Sequence, residues 1–262
     1  MKRVLVSDNI SKTGLKCLLD AEDVEVDIKT DLSPDELKSI IGNYHGLLVR
    51  SQTKVTKEII TAAKNLLVIG RAGVGIDNID LKTATEHGIA VINAPDGNTI
   101  STTELSFAML MSLARWLPQA HGDLKMGQWN RKKYVGVELN NKVLGIIGIG
   151  RIGSGMAKRA KAFNMNVIAY DPFITEEQAK KLGIRIGTLE EVIQQSDFIT
   201  IHTPLTKETK YLLDDDEFNQ MKKGVRIINC ARGGIIREEA LIRALDEGIV
   251  EGAALDVFEN EP

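Results

Sequence analysis

A glycine-rich turn between two apolar segments is the part of this sequence whose residue types and spacing most directly indicate chemistry. Gly148, Gly150 and Gly153 follow the spacing G-x-G-x-x-G. In such a turn the first glycine permits a tight bend, the second lets backbone approach a pyrophosphate, and the third lets a helix pack closely on the preceding strand. The helix that follows presents unpaired N–H groups and the positive end of its dipole. The turn therefore predicts a phosphate-binding site.

An acidic residue follows this turn at a useful distance. Asp171 stands eighteen residues after Gly153, directly after the second apolar segment. A carboxylate at the end of the neighbouring strand can accept hydrogen bonds from both hydroxyls of a ribose. It also repels a 2′-phosphate, and no arginine follows it closely, which favours NAD over NADP. Strand, glycines, helix, strand and acid in this order predict a dinucleotide site, and a plain glycine turn is the alternative.

Other side chains suited to chemistry stand where further strands are expected to end. Ligands of open α/β sheets lie beyond the carboxyl ends of the strands. The residues at these ends are His202, Thr203, Cys230, Ala231, Arg232 and Asp256. Two glycines follow Arg232, so bare backbone lies beside its guanidinium. Such an arginine suits a planar carboxylate and its neighbouring carbonyl, and a surface arginine after a tight turn is the alternative.

Short apolar segments alternate with amphipathic ones along the chain, which predicts an α/β fold with parallel sheets. Residues 1–98 form an expected flavodoxin-like domain and residues 99–262 a Rossmann-like domain, with a turn at 95–98 between them. The expected strands are 3–6, 24–28, 46–50, 66–70, 89–92, 143–147, 166–170, 197–202, 225–229 and 251–257. The expected helices are 12–19, 34–41, 56–63, 80–86, 101–117, 154–163, 175–182, 189–194, 214–221 and 237–247.

Two segments near the domain boundary allow alternative interpretations. Residues 101–104, Ser-Thr-Thr-Glu, match a capping box, so a long helix is expected to begin there and to end before Pro118. Its apolar residues surround much of the circumference, which indicates either a plain core helix or burial against a second subunit. Residues 125–134 place basic side chains around Trp129. A solvated loop is the main interpretation, and capture of an anionic substrate group is the alternative.

A second glycine-rich loop, at residues 70–75, follows a strand of the first domain. Its spacing is G-x-x-G-x-G, no helix begins directly after it, and no acid ends the next strand. It therefore predicts a loop whose amides hold a small anion, and a second dinucleotide site is the weaker alternative.

The composition narrows the class of protein. Of 262 residues, 43% are hydrophobic and 26% charged, as in ordinary globular proteins. The formal net charge of −3 gives no electrostatic case for binding nucleic acid or a membrane surface. No apolar run has the length of a membrane span, and the N-terminus lacks the apolar segment of a signal peptide. Two cysteines do not make a disulfide framework, which indicates a reducing compartment, so a cytoplasmic protein is expected. No metal site is expected.

The motifs together resemble the NAD-dependent D-isomer specific 2-hydroxyacid dehydrogenases. They are G-I-G-R-I-G at 148–153, H-T-P-L-T at 202–206, N-C-A-R-G-G at 229–234 and A-L-D-V-F-E-N-E-P at 254–262. Segments 49–55, 70–80, 94–105 and 129–134 extend the resemblance over almost the whole chain, toward members with a phosphorylated substrate. It implies hydride transfer from C2 of a 2-hydroxy acid to NAD, a cofactor cleft between the two domains, and a homodimer or homotetramer.

The resemblance also assigns residues to the cofactor and the substrate. The positions that match cofactor contacts are Val74, Gly148, Gly150, Arg151, Ile152, Gly153, Asp171, Thr203, Cys230, Ala231, Arg232 and Asp256. The positions that match substrate contacts are Arg50, Ser51, Gly73, Val74, Gly75, Arg131 and Arg232. Among them Arg131 is assigned to a substrate phosphate, and Asp256 to the carboxamide of the nicotinamide.

Two catalytic residues match the family, and a third is missing. Arg232 would hold the substrate carboxylate and the C2 oxygen, and Glu261 would orient a histidine that removes the hydroxyl proton. That histidine lies beyond Glu261 in the family, and the four histidines of this sequence are elsewhere: His45, His87, His121 and His202. The resemblance implies a C-terminally truncated chain, in which the substrate-binding domain 1–98 lacks a C-terminal return segment and the NAD-binding domain 99–262 lacks its last segment. Such a chain is expected to bind NAD weakly and to turn over poorly or not at all.

Two alternatives to a phosphorylated substrate stay open. The same chemistry could act on another acid, as in glyoxylate or hydroxypyruvate reductases or D-lactate dehydrogenases, and recognition of a phosphate distinguishes these. The fold also serves NAD-sensing corepressors. A corepressor would need a peptide-binding groove on the first domain, of which the sequence gives no sign.

Overall fold

The computed structural model describes residues 1–261 and divides the chain into two compact units. The first unit comprises Met1–Asn98, and the second begins at Thr99. Each unit has its own parallel sheet and its own hydrophobic core. An α/β fold with two parallel sheets, as the alternating segments predict, is therefore confirmed.

The first unit is a five-stranded sheet with helices between its strands. Its strands are β1 (Lys2–Val6), β2 (Val24–Ile28), β3 (Gly46–Val49), β4 (Val68–Arg71) and β5 (Ala90–Asn93). Its helices are α1 (Lys12–Leu19), α2 (Pro34–Ile40), α3 (Lys57–Ala62) and α4 (Leu81–Glu86), with a 3₁₀ turn at Ile41–Asn43. The strand order β2-β1-β3-β4-β5, all parallel, is the flavodoxin-like order.

The second unit is a six-stranded parallel sheet. Its strands are β6 (Val143–Ile147), β7 (Asn166–Tyr170), β8 (Arg185–Ile186), β9 (Phe198–Ile201), β10 (Val225–Asn229) and β11 (Val250–Leu255). Its helices are α5 (Thr99–Arg115), α6 (Leu117–Lys125), α7 (Arg151–Ala162), α8 (Glu176–Leu182), α9 (Leu189–Gln195), α10 (Asp215–Gln220) and α11 (Glu238–Asp246), and a 3₁₀ turn spans Arg131–Tyr134. The order β11-β10-β9-β6-β7-β8 is that of a Rossmann fold, with its switch point between β6 and β9.

The central strands of the second unit are buried on both faces, which explains why apolar residues occur at successive positions in them. In β6, Leu144 and Ile146 belong to the core under α5 and α7, whereas Ile147 belongs to the core on the opposite face. In β10, Ile228 and Ile227 divide between the same two cores. Because successive side chains of a strand point to opposite faces, a doubly covered sheet requires apolar residues at both phases.

The expected capping box at 101–104 is wrong. Helix α5 begins at Thr99, so Ser101 and Glu104 lie within its first turns and do not precede it. The hydroxyl of Thr103 donates to the carbonyl of Thr99, 2.6 Å away, and that of Ser106 to the carbonyl of Thr102, 2.8 Å away. Serine and threonine can bond to the preceding turn in this way, and a sequence pattern does not distinguish that use from a cap.

Helix α6 was not expected. Trp116 takes a left-handed conformation, with φ 54° and ψ 35°, which ends α5. A new helix then begins at Leu117 with Pro118 in its first turn, where a proline leaves no hydrogen bond unmade. The proline that suggested only a helix end therefore also starts the next helix.

The ends of every other expected element lie within three residues of their predicted positions. Strand β8 and the two 3₁₀ turns were not predicted. The largest shift concerns α7, which begins at Arg151 and not at residue 154. No helix within residues 1–261 is long and apolar enough to cross a membrane.

Candidate active site

The glycine turn between β6 and α7 is shaped by close backbone packing. Gly148 has φ +91°, and a Cβ there would lie 2.7 Å from the carbonyl oxygen of His202. A Cβ on Gly153 would overlap the carbonyl oxygen of Gly148, so α7 packs against the turn at this point. A Cβ on Gly150, in contrast, would meet no atom within 4 Å. Two glycines are therefore required by packing, and the third presents backbone to open space.

The start of α7 presents uncapped amides at this open position. Gly150 is the N-cap residue of the helix and offers no side chain to its first N–H groups. Arg151 is exposed and Ile152 half-buried in the first turn. The N–H groups of a first helical turn have no acceptor within the helix, and at the positive end of this twelve-residue helix they favour an anion such as a pyrophosphate.

Asp171 directly follows β7, and backbone N–H groups hold its carboxylate in place. One oxygen accepts from the N–H of Ile149 and the other from the N–H of Phe173, both at 2.8 Å. Each carboxylate oxygen has a second lone pair that these bonds leave unused. The carboxylate is thus fixed beside the glycine turn with acceptors to spare, which suits the hydroxyls of a ribose.

A cavity of about 400 Å³ opens between the carboxyl ends of β6, β7 and β9. This is the switch point of the sheet, where doubly wound α/β folds bind ligands. The residues that line it include Gly148, Gly150, Asp171, Phe173, His202 and Thr203. Its volume is in the range of small-molecule sites. The turn, the acid and Thr203, which were singled out separately in the sequence, therefore share one cavity.

His202 forms part of the wall of this cavity. A ring nitrogen of His202 and the hydroxyl of Thr200 lie 2.9 Å apart, within hydrogen-bonding distance. Burial lowers the pKa of His202 from 6.5 to about 4, so the ring is neutral near neutral pH. A general base works best when its pKa is close to the working pH. The ring therefore suits a structural role in the cavity wall better than proton transfer.

The loop after β10 carries Arg232 and is held by Asn229. The buried Asn229 side chain accepts from the N–H of Ala231 at 3.0 Å and donates to the carbonyl of Arg232 at 2.9 Å. The guanidinium of Arg232 donates to the carbonyl of Ala231 at 2.7 Å. Cys230 is buried 3.2 Å from the sulfur of Met109, and burial raises the pKa of its thiol. The thiol of Cys230 is therefore kept in its neutral form by its buried surroundings.

The segment after β11 lies directly beside this loop. The N–H of Asp256 donates to the carbonyl of Asn229 at 3.0 Å, which continues the pairing of β10 with β11. A Cβ on Gly233 would overlap the carbonyl oxygen of Phe258. The exposed carboxylate of Glu261 accepts from the N–H of Phe258 at 2.9 Å. The segment carrying Asp256 and Glu261 thus packs against the loop that carries Arg232.

In the first unit, two side chains hold the loop that follows β3. Buried Asp8 accepts from the N–H of Arg50 at 2.5 Å and from the hydroxyl of Thr53 at 2.6 Å. From the other side Asn78 donates to the carbonyls of Arg50 and Thr53, each at 2.7 Å. Arg50 and Ser51 themselves are exposed. Asp8 and Asn78 were not singled out in the sequence, although an acid directly after the first strand was a signal for Asp8.

The loop after β4 carries Gly73, Val74 and Gly75 and does not lead directly into a helix. The carbonyl of Gly73 accepts from the N–H of Ala94 at 3.0 Å, and that of Val74 from the amide of Asn93 at 2.6 Å. All three residues are half-buried. The next helix, α4, begins only at Leu81, so this loop lacks the helix N-terminus of a dinucleotide turn.

Arg131 lies on an exposed 3₁₀ turn and does not line the cavity at the switch point. Asp123 holds this turn, because its carboxylate accepts from Asn130 at 3.0 Å and from the hydroxyl of Tyr134 at 2.5 Å. The hydrogen bond from Asn130 lowers the pKa of Asp123 most, and the bond from Tyr134 and the nearby charge of Lys133 lower it further. The basic segment is therefore an ordered turn. Within residues 1–261, no group of three or more His, Cys, Asp or Glu side chains is arranged to hold a metal ion.

Residues 107–262 match the family described as D-isomer specific 2-hydroxyacid dehydrogenase, NAD binding domain. The chain belongs to this family, and NAD is the cofactor for which its second unit is built. It is 56% identical to D-3-phosphoglycerate dehydrogenase of Bacillus subtilis (strain 168), over 100% of this chain and 49% of that protein. The chain thus spans about half the length of the curated relatives it matches.

Solved structures show the same fold. The TT0316 protein from Thermus thermophilus has a TM-score of 0.90 and 34% identity, covering 99% of this chain and 83% of that one. D-Lactate dehydrogenase from Aquifex aeolicus, complexed with NAD and lactic acid, has a TM-score of 0.87 and 31% identity, covering 98% and 77%. The family resemblance seen in the motifs is confirmed.

Proposed function

We propose that this protein oxidises D-3-phosphoglycerate at C2 to 3-phosphohydroxypyruvate, with NAD as the acceptor. The observation that carries the proposal is the 56% identity over the whole chain to a D-3-phosphoglycerate dehydrogenase. The geometry supports it, because the phosphate-binding turn, the Arg232 loop and Asp256 all lie at the carboxyl ends of strands of one sheet.

The second unit is proposed to bind the cofactor through the residues described above. The amides at Gly150, Arg151 and Ile152 hold the pyrophosphate, and Asp171 holds the adenosine ribose. Thr203 contacts the middle of the cofactor. Near the nicotinamide the proposed contacts are the backbones of Cys230 and Ala231 and the carboxylate of Asp256. The bound NAD accepts the hydride that leaves C2 of the substrate.

Arg232 and Glu261 are proposed to serve the reaction itself. A guanidinium can bind a carboxylate through two parallel hydrogen bonds and stabilise negative charge on a neighbouring oxygen. The side chain of Asn229 donates to the backbone carbonyl of Arg232 and so fixes its position, and Arg232 suits both tasks. Glu261 is the proposed partner of a proton-accepting histidine, a role that none of the four histidines among residues 1–261 fits by position. A carboxylate beside a histidine raises its pKa and orients its ring.

The first unit, residues 1–98, is proposed to supply the other substrate contacts. Arg50, Ser51 and the amides of residues 73–75 lie on loops at the carboxyl ends of β3 and β4, and they suit an anionic substrate. Arg131, on the turn held by Asp123, is the proposed contact of the substrate phosphate.

Phosphate recognition tests this assignment. In the full-length enzyme, Arg50→Ala and Arg131→Ala are each expected to lower kcat/KM for 3-phosphoglycerate by about 10- to 100-fold, the value of a charge-assisted hydrogen bond. The rate with D-glycerate should change much less. Lys64→Ala, an exposed charge removed from the same unit as Arg50, is the control. An unchanged preference for the phosphorylated acid in both arginine variants would remove the support for phosphoglycerate.

A second candidate is the same oxidation of an unphosphorylated acid. The likeness to a D-lactate dehydrogenase solved with lactic acid favours it. Steady-state rates with D-lactate, D-glycerate and 3-phosphoglycerate decide between the candidates, because the proposed function requires the highest kcat/KM for the phosphorylated acid.

A homodimer or homotetramer is also proposed. Large apolar side chains remain exposed along α5, α6 and the segment after them: Ile100, Leu105, Leu117, Leu124, Met126, Trp129 and Val135. Exposed apolar surface of this kind is typical of subunit interfaces. Light scattering on the purified protein measures the subunit number. A cytoplasmic location is proposed because both cysteines, Cys17 and Cys230, are free thiols.

A further inference from the structure

The segment that carries Asp256 and Glu261 is joined to α11 by two carboxylates that cap each other's backbone. Glu259 accepts from the N–H of Glu238 at 2.7 Å, and Glu238 accepts from the N–H of Glu259 at 2.5 Å. Glu238 is the first residue of α11, which has no side-chain cap from Arg237. A negative charge is favoured at this end of the helix. The pair therefore fixes the segment to the helix by two charge-assisted bonds.

Tyr211 ties the same carboxylate to the loop that carries Arg232. Its hydroxyl donates to the second oxygen of Glu259 at 3.1 Å, and this bond and the charge of Glu259 raise the pKa of Tyr211. Its N–H donates to the carbonyl of Gly234 at 2.8 Å. The guanidinium of Arg237 lies 4.3 Å from the ring centroid and 2.8 Å from Asp214. Tyr211 is thus held through its backbone N–H and through one face of its ring.

This arrangement matters because the segment has no regular structure of its own. Strand β11 ends at Leu255, and the segment continues as bends to Glu261. We propose that Glu259 is a positioning residue for the reaction, which fixes Asp256 and Glu261 beside Arg232 through its bonds to Glu238 and Tyr211. The inference rests on the proposed function, since that function assigns Asp256 and Glu261 to cofactor and proton transfer.

Substitution of Glu259 in the full-length enzyme tests the proposal. Glu259→Ala is expected to lower kcat by about 10- to 100-fold, because small displacements of reacting groups are costly. The KM for NAD should rise by a smaller factor than kcat falls, since the turn and Asp171 still hold the pyrophosphate and the ribose and only the contact of Asp256 with the nicotinamide is loosened. The acid limb of the pH profile should move to lower pH, because a loosened Glu261 no longer raises the pKa of its histidine partner.

Three further variants separate the bonds of Glu259 from the general effect of removing a carboxylate. Glu259→Gln retains an oxygen that can accept from the N–H of Glu238, and is expected to recover most of kcat. Tyr211→Phe removes one bond to Glu259 and should give a smaller loss of kcat. Glu239→Ala removes a carboxylate from the same helix turn without touching the segment, and should leave kcat and the pH profile unchanged.

Hydrogen exchange of the backbone amides in residues 256–261 gives a readout that does not require activity. Faster exchange in Glu259→Ala than in Glu239→Ala is expected. Equal exchange, or a variant that loses only thermal stability while kcat and the pH profile stay those of the wild type, would overturn the proposal. If the wild type does not oxidise 3-phosphoglycerate, the proposed function is wrong, and the exchange rates still decide whether Glu259 fixes the segment.

Discussion

Asp8 and Asn229 do the same work in the two units. Each is a buried polar side chain at the carboxyl end of a strand, and each binds the backbone of a loop that carries a candidate functional arginine. A buried polar group without partners is costly, so these side chains and their loops stabilise each other. The backbones at the two arginines are thereby fixed.

Asp8→Asn tests this role in the first unit. The N–H of Arg50 donates to one oxygen of Asp8 and the hydroxyl of Thr53 to the other, so an amide keeps an oxygen at only one of these two positions and places an NH2 group at the other. The KM for 3-phosphoglycerate is expected to rise about tenfold, the value of one charge-assisted hydrogen bond, while the KM for NAD stays constant. Initial rates in the full-length enzyme measure both. Asp23→Asn, at an exposed position, is the control, and equal effects of the two substitutions would contradict the role.

His202 predicts a specific pH dependence of stability. Its pKa is about 4 in the folded protein and about 6.5 when unfolded, so folding favours the neutral ring. The resulting stability is fully present above pH 6.5 and is lost as the pH falls toward 4. Between pH 7.5 and about pH 5 the wild type should therefore lose about 2 kcal/mol more unfolding free energy than His202→Gln.

Urea unfolding at the two pH values, followed by tryptophan fluorescence, measures this difference. Both tryptophans, Trp116 and Trp129, lie in the same unit as His202, so their signal reports on that unit. An identical pH dependence in the wild type and in His202→Gln would show that the ring is already protonated or freely hydrated.

Spacing along the chain predicted only part of the candidate site. The glycines at 148–153 and Asp171 belong to a motif whose parts follow one another in one strand–helix–strand unit. The sequence was therefore sufficient to predict that these residues lie close together. Asp8 contacts residues 42 and 45 positions away, and Glu259 contacts one 21 positions away. Such pairs depend on which strands become neighbours, which a single sequence does not specify.

At the scale of elements, the turn before α7 separates packing from binding. Gly153→Ala places a methyl group against the carbonyl of Gly148, so a loss of about 1–3 kcal/mol in unfolding free energy is expected. Gly150→Ala meets no protein atom and has a φ of −65°, so the fold should be unaffected. The methyl group would nevertheless occupy the approach of the pyrophosphate, and NAD affinity should fall at least about tenfold.

Thermal unfolding and NADH titration of the two variants measure stability and affinity separately. Full NAD affinity in Gly150→Ala would mean that the phosphates lie elsewhere. Unchanged stability in Gly153→Ala would mean that α7 can move away from the turn.

The sequence predicted both ends of strands β2, β6, β7 and β10. Each of these segments has five residues and contains Val and Ile, residue types that are favoured in strands. Helix α6 was missed because Pro118 is equally compatible with the end of one helix and the start of another. The difference lies in the backbone of Trp116, whose left-handed conformation has no local sequence signal.

At the scale of the whole molecule, NAD should stabilise the unit that binds it by mass action. A ligand at about 100 times its Kd adds about 2.7 kcal/mol to the unfolding free energy. The tryptophan-detected transition is therefore expected to move to higher temperature with NAD, and NADP at the same concentration should move it less, because Asp171 repels a 2′-phosphate. Fluorescence-detected melting measures both shifts. Equal shifts would contradict the assignment of Asp171 to the ribose.

The strand orders of the two sheets also bear on how the chain is made. Each strand after the first in a unit pairs with a strand that precedes it in the chain: β2 and β3 with β1, β4 with β3, β5 with β4, and correspondingly from β6 to β11. A strand that leaves the ribosome thus finds its partner already synthesised. Within this chain residues 1–98 precede the second unit, so all five strands of the first sheet are synthesised before the first strand of the second sheet.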